Sequence, residues 1–266
     1  MDPIILFRDG NDYPGEFEIA QKYFQCVPNR AKIPPGKLVI CRYSALPYYK
    51  ELEADVNDLG SKLINSFTEH RYIADLGNYV YQLEGLTPKT WNHLDQIPEK
   101  GPFVLKGETN SKKFEWDTMM YAETKQDAIR IYLDLQNDGL IGYQNIYIRE
   151  YVPMVNYLIG FRNMPVTKEY RFFVCHGQVI SGGYYWSNYI DDLPEKPDPN
   201  EVPKEFLNEV IERVGKNCTF YVIDVGQKLD GNWMVVELND GSMSGLSDNS
   251  PEILYSGLKN IIDKNH

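Results

Sequence analysis

Histidine and cysteine are scarce in this chain, and their arrangement excludes several chemistries. Cys26, Cys41, Cys175 and Cys218 form no CxxC pair and have no histidine cluster near them. That spacing argues against a zinc site or a disulfide framework and reads as buried free thiols of a reducing cytoplasm. Of His70, His93, His176 and His266, none neighbours a plausible nucleophile, so a Ser-His-Asp or Cys-His centre is not expected. Long apolar runs are missing too. The opening MDPIILFRDGND has too short an apolar stretch and too acidic a flank for a signal peptide, and nothing approaches a membrane span. No internal repeat is visible. Positive charge is in deficit, 27 basic against 38 acidic residues, a net charge of −11. That field disfavours non-specific binding to nucleic acid or anionic membrane, unless a local basic cleft overrides it. With 42% hydrophobic content in 266 residues, the chain suits one large domain or two small ones sharing a cleft.

What is present centres on Phe220–Gly245, FYVIDVGQKLDGNWMVVELNDGSMSG. Two apolar runs flank Asp230-Gly231, the signal of a two-residue hairpin whose central residues need positive φ. Folding back on that turn sets Leu229 opposite Asn232, Gly226 opposite Val235 and Asp224 opposite Glu237. Asn239 shares the face of Glu237, because side chains alternate along a strand. Facing carboxylates repel. A cation between them relieves the repulsion, and an Asp/Glu/Asn oxygen set suits Mg²⁺ better than a soft metal. A register slip would turn the apolar set outward, so the site reading is preferred to an exposed hairpin.

Upstream, strands alternate with helices. Residues 3–7 and 37–41 read as strands, 16–24 and 48–59 as helices, and 61–64 as a third strand. Asn65-Ser66 caps a helix carrying Tyr72, Ile73, Leu76 and Tyr79. This alternation predicts a small parallel α/β unit over residues 1–90. A helix is expected at Trp91–Ile97, a strand at 103–106, a polar loop at 107–113, a strand at 119–122, a helix at 125–137 and a strand at 146–152. Residues 154–167 show no clean period and read as a lid or substrate loop. A hairpin turned by His176-Gly177 follows over 169–185. After a proline-rich acidic loop at 191–203 come a helix at 204–216, the Asp230-Gly231 hairpin and a closing helix from Pro251 to about Asp263.

Three stretches in this order, FVLKG at 103–107, IREYVP…KEYRFFVCHGQVI at 148–180 and VIDV…VVELNDG at 222–241, resemble the ATP-grasp superfamily. The resemblance covers roughly residues 87–246. It implies an α/β (α+β) ATP-grasp fold with ATP held between two subdomains, 91–148 and 149–266, behind the N-terminal unit. By resemblance Asp224, Glu237 and Asn239 hold the Mg²⁺ ions of ATP, with Mn²⁺ as a substitute, and Ser242 lies in the small-residue turn near the triphosphate and substrate. Lys106, at the end of a buried strand, contacts phosphate. Lys89 is the candidate second phosphate lysine, at a shorter spacing than expected. Thr109, Ser111, Lys112 and Lys113 occupy the phosphate-covering loop, here poor in glycine. Glu150, Tyr151 and Val152 resemble the hinge that hydrogen-bonds adenine. Glu169 resembles the ribose-binding acid, after a longer insertion than the minimal pattern.

Arg171, two residues on and on the same strand face, resembles the acid-x-Arg arginine that meets the transferred phosphate, for which a planar guanidinium is well matched. One departure stands out: several carboxylate–amine ligases of this fold carry an arginine two residues before the metal-binding acid, where this chain has Val222. Either Arg171 or Arg42 takes that role, or the substrate is held differently. Arg42 and Asn65 sit at strand ends of the N-terminal unit, where open α/β sheets bind ligands.

The resemblance implies an ATP- and Mg²⁺-dependent cytoplasmic ligase that phosphorylates a carboxylate and joins it to an amine. Lys106 and Arg171 would neutralise the transferring phosphate. Small-molecule or peptide carboxylates and amines are the implied substrates. Two alternatives stay open. One is another ATP-grasp transfer, such as nucleic-acid end joining along a groove of Lys112, Lys113, Arg42, Arg149 and Arg162. The other is a non-catalytic nucleotide-binding module, less expected because all three metal positions keep oxygen ligands.

Overall fold

A computed structural model describes residues 1–8 and 15–265. His266 lies outside the described residues. Four short strands open the chain: β1 (Pro3–Leu6), β2 (Gln25–Val27), β3 (Leu38–Cys41) and β4 (Lys62–Leu63). They pair in parallel in the order β2-β1-β3-β4. β1 and β3 are apolar throughout because helices cover one face of the sheet and the rest of the protein covers the other. Helix α1 (Glu16–Ala20) is shorter than the sequence suggests, because the chain turns after Ala20 to lay β2 on the sheet edge. Helices α2 (Tyr49–Asp58), α3 (Phe67–Ala74) and α4 (Leu76–Tyr79) follow. Ser66 starts α3 through a capping box with Glu69, each satisfying the other's backbone N–H.

The second sheet holds β5 (Thr90–Trp91), β6 (Lys100–Gly107), β7 (Tyr121–Thr124) and β8 (Ile146–Glu150), antiparallel in the order β5-β8-β6-β7. Helix α5 (Lys125–Gln136), capped by Thr124 and Asp127, buries Ala128, Ile131 and Leu135 against it. The helix expected at Trp91–Ile97 is absent. Trp91 lies in β5 opposite Ile148, and Leu94 and Ile97 reach the same core from turns. Their spacing of three mimics a helical stripe, yet burial of each is achieved by tertiary packing alone. The strand expected at 119–122 begins later, at Tyr121, because Trp116–Met120 forms one wide helical turn.

β9 (Asn156–Ile159) and β10 (Pro165–Thr167) pair only with each other among the described strands, giving structure to the stretch that showed no period. β11 (Glu169–Cys175) and β12 (Gln178–Tyr184) form the hairpin turned at His176-Gly177, both with positive φ. After α6 (Lys204–Val214), β13 (Phe220–Gln227) and β14 (Trp233–Asp240) complete a sheet in the order β12-β11-β13-β14, and α7 (Pro251–Asn265) closes the chain. Phe173, Phe220 and Val222 on one face of this sheet share a core with α7, Ile5 and Ile40. The first and third sheets are therefore parts of one packed body.

The β13–β14 hairpin departs from the simple turn and then recovers. Lys228 pairs with Asn232 across three residues, Leu229 to Gly231, and Gly231 takes φ +86°. The register therefore runs one residue off, with Gly226 opposite Met234 rather than Val235. A bulge between Asp224 and Val225, with Val236 as the extra residue, cancels the offset. Asp224 faces Glu237 after all.

Candidate active site

Arg171, Asp224 and Glu237 lie in one line across β11, β13 and β14, each opposite the next in register. Lys106 arrives from β6 of the other sheet. Arg171 grips Asp224 with two parallel bonds, Nε to Oδ1 at 2.8 Å and Nη2 to Oδ2 at 2.7 Å. Its Nη1 donates to the Gly245 carbonyl at 3.0 Å, and its guanidinium lies 4.8 Å from the Tyr185 ring centre. Glu237 accepts from the Lys106 ammonium. The facing carboxylates are thus neutralised from the two outer sides, cation–anion–anion–cation.

Burial pushes the Glu237 carboxyl up, but the charges of Lys106 and Lys113 outweigh it and hold the group down at about 2. Burial also draws the Lys106 ammonium below its ordinary value, with Glu237 opposing that shift. Glu169 is different. Burial, reinforced by the Asp224 charge, raises its carboxyl to about 7 although Lys113 and Thr167 pull the other way.

Beside this row opens a cavity of about 830 Å³ between the second and third sheets. Lys106, Ser111, Lys113, Glu169 and Glu237 line its polar end, and Glu150, Tyr151 and Val152 its rim. Lys113 bonds the Tyr185 hydroxyl and lies over that ring. The apolar end comes from Val104, Met154, Met164, Met234 and Val236, none of which stood out in the sequence. Single methionines on separate segments carry no local signal. Trp116 also joins the wall, packing with Tyr121 and edge-on to Tyr151 at 6.2 Å. At the hinge, Glu150 N–H bonds the Lys89 carbonyl and Tyr151 N–H the Pro102 carbonyl. Val152 N–H has no backbone partner among the described residues.

A second cleft, on the far side of the charge row, brings Arg171, Asn239 and Thr109 together with His70, Ser44 and Met243. Other residues picked from the sequence lie elsewhere. Lys89 is exposed and lines a groove outside the hinge, away from the cavity. Arg42 is buried, with Nε on Glu16 at 2.9 Å and Nη1 on the Gly241 carbonyl at 2.6 Å. Asn65 is wholly buried and its amide is taken up by the Phe220 backbone and Asp240. Ser242 is buried as well, and its Oγ has no partner among the described residues. Arg42 and Asn65 therefore bind the N-terminal sheet to the Asp240–Ser242 turn and are not free to hold substrate. The basic groove suggested for nucleic acid does not form either. Lys112 pairs with Asp138, Arg162 with Asp117, and Arg149 bonds the Val236 carbonyl, Thr87 and Thr90.

Residues 93–258 match a family model described as an ATP-grasp domain, the third family of its clade. The chain belongs to that ATP-grasp family. ATP-grasp neighbours among solved structures cover it end to end. D-cycloserine synthetase DcsG is 14% identical, covering 98% of this chain and 99% of its own, with a TM-score of 0.61. The ATP-grasp ligase PsnB, complexed with minimal precursor, Mg and ADP, is 12% identical over 99% and 98%, with a TM-score of 0.59. The macrocyclase MdnC, bound with precursor peptide MdnA from Microcystis aeruginosa MRC, is 11% identical over 99% and 100%, also at 0.59. At such identity these neighbours establish the fold. No curated protein matches the chain. The ATP-grasp chain is an enzyme of the ATP-dependent ligase class. None of its described helices is long and apolar enough to cross a membrane.

The donors for a divalent ion are hard oxygens. Among the described residues no group of three His, Cys, Asp or Glu side chains is placed to hold a metal. The set is two carboxylates and an amide. Asp224 and Glu237 face each other, and the half-buried Asn239 amide makes no hydrogen bond to a described residue. Such a set fits Mg²⁺ or Mn²⁺.

Proposed function

We propose that this ATP-grasp enzyme activates a carboxylate as its acyl phosphate and joins it to an amine. The observation that carries the reading is the line Arg171–Asp224–Glu237–Lys106, placed between a largely apolar cavity and a second polar cleft. Adenine fits the apolar end, against Tyr151 and Val152, with the Val152 N–H as its hydrogen-bond donor. Glu169 is placed for the ribose, and Lys106, Lys113 and Ser111 for the phosphates. A divalent ion on Asp224, Glu237 and Asn239 would supply charge neutralisation at the β- and γ-phosphates.

The charge row then has a definite task. When triphosphate enters, Lys106 exchanges its carboxylate partner for phosphate oxygens. Arg171 faces the second cleft, where a carboxylate substrate would sit, and is placed to stabilise the phosphoryl group on arrival. A guanidinium held by Asp224 and stacked on Tyr185 is fixed before reaction, so little reorganisation is needed at the transition state. Tyr185, Trp186 and the 113–120 segment shield the transfer path from water. An acyl phosphate lives longer there than in solution.

The test is incubation with ATP, Mg²⁺, hydroxylamine and pooled amino acids and short peptides. Carboxylate-dependent ADP with a hydroxamate product is expected. AMP as the product, or turnover indifferent to every carboxylate, refutes the reading. RNA oligonucleotides run beside the pool test end joining directly.

A further inference from the structure

The second cleft contains a buried histidine that phosphoryl transfer does not use. His70, on α3, is 1% exposed and forms part of the cleft wall with Arg171 and Asn239. Its Nδ1 lies 3.0 Å from Asp240 Oδ2. The ring is stacked on Tyr49, 4.0 Å between centres and 4° from parallel, so its plane is fixed. Asp240 is itself immobilised, its Oδ1 accepting from Asn65 Nδ2 and from the Ser242 N–H, both at 2.8 Å. An aspartate so surrounded by donors is an acceptor, which assigns the proton to His70 Nδ1. Nε2 then carries the lone pair, and it makes no hydrogen bond to any described residue.

We propose that His70 Nε2 is the base that takes the proton from the attacking amine, with Asp240 as the residue that positions it. The inference rests on the acyl-phosphate reading above and adds the second half-reaction to it. The amine nitrogen attacks the acyl carbon and the C–N bond forms. The bond from that carbon to the phosphate oxygen breaks, and phosphate leaves with the electron pair. The nitrogen's surplus proton passes to Nε2, giving an imidazolium whose charge Asp240 stabilises. Walls of the cleft come from the N-terminal unit (Ser44, His70), the 109–110 loop and the third sheet, so an amine entering it meets the histidine and the phosphate-facing arginine together. The substrate class is a primary or secondary amine that is protonated in neutral water, such as the α-amine of an amino acid or peptide. For a weakly basic nucleophile the histidine is dispensable.

Hydroxylamine, largely unprotonated at neutral pH, is the discriminating probe. His70→Asn retains an N–H able to reach Asp240 and removes the basic nitrogen. In this variant hydroxamate formation should stay within about twofold of the wild type, while transfer to an α-amine drops by about 100-fold or more, the usual size of a general-base contribution. The loss should fall on kcat, with the KM for ATP unmoved. Asp240→Asn, which spoils the tautomer but leaves the ring, should show the same split with a smaller loss. Equal loss of both products in both variants makes His70 a structural strut and overturns the proposal, as does an unchanged amine rate. A wild-type enzyme that forms no hydroxamate from any carboxylate instead overturns the acyl-phosphate reading, and the histidine's role falls with it.

Discussion

Among single residues, those of the charge row separate stability from activity. Arg171 and Asp224 are nearly inaccessible, so Arg171→Ala leaves a buried carboxylate without its partner. A loss of about 3–5 kcal/mol is expected, read as a lowered urea midpoint. Arg171→Lys keeps the charge and loses the fork, and should recover stability more fully than kcat. Lys106→Ala should weaken ATP binding directly, whereas Arg171→Ala, measured where it is still folded, should lower kcat more than ATP affinity. Proportional losses of affinity and rate would make Arg171 a ground-state anchor. Glu169 gives a pH signature. Its folded-state value of about 7 exceeds the ordinary 4.5, so between those values the native state holds a proton that the unfolded chain has released. Stability from this group is therefore full below about 4.5 and declines as pH rises through 7. Glu169→Gln should flatten that decline, and an unchanged stability–pH curve would contradict it. Glu237 runs the opposite way, contributing above 4.5 and losing its contribution as pH falls towards 2.

Among secondary-structure elements, the β13–β14 hairpin and the β9–β10 ribbon make different predictions. Gly231 has φ +86° with open space where a Cβ would point. Gly231→Ala should then cost only the left-handed backbone penalty, about 1–2 kcal/mol, seen as a shifted urea midpoint at constant m. The ribbon pairs with no other described strand, and its tip meets the 113–120 segment through Arg162 and Asp117 at 2.9 Å. Nucleotide should slow hydrogen exchange in both 107–115 and 154–167, as closing lids do. No protection in either stretch would remove them from the nucleotide's surroundings. Strands and helices with strong periodicity, such as α5 and the β11–β12 hairpin, were legible in the sequence because packing agrees with local preference there. Trp91–Ile97 was not, since its helical spacing is a coincidence of three side chains reaching one core. The ribbon was not either, because its residues alternate irregularly and two residues at its turn, Arg162 and Asn163, adopt positive φ.

Taking the molecule as a whole, the N-terminal unit cannot be an independent accessory. Its sheet shares a core with α7 and the third sheet, and the buried Arg42–Glu16 pair and Asn65 reach across to Gly241, Phe220 and Asp240. A chain beginning at residue 87 would expose that core and leave Asp240 without Asn65 and His70. It should show no cooperative thermal transition, whereas the full chain should unfold the first and third sheets together. A truncated chain with a sharp transition and ATP-induced stabilisation would refute this.

Short-range signals were enough to read the kind of fold, the hinge, the loop and the facing of Asp224 and Glu237. Strand alternation, turn residues and acids two apart carry each of these. The facing was reached through a turn one residue too short, with the Val236 bulge supplying the difference. What each polar side chain touches was settled by three-dimensional packing instead. Arg42 and Asn65 look like ligands at strand ends until another sheet buries them, and Lys89 looks like a phosphate lysine until the hinge turns it outward. His70 looks inert until Asp240, distant in sequence, orients it. Burial and partner choice here depend on contacts between residues more than a hundred positions apart, and no local pattern carries that information.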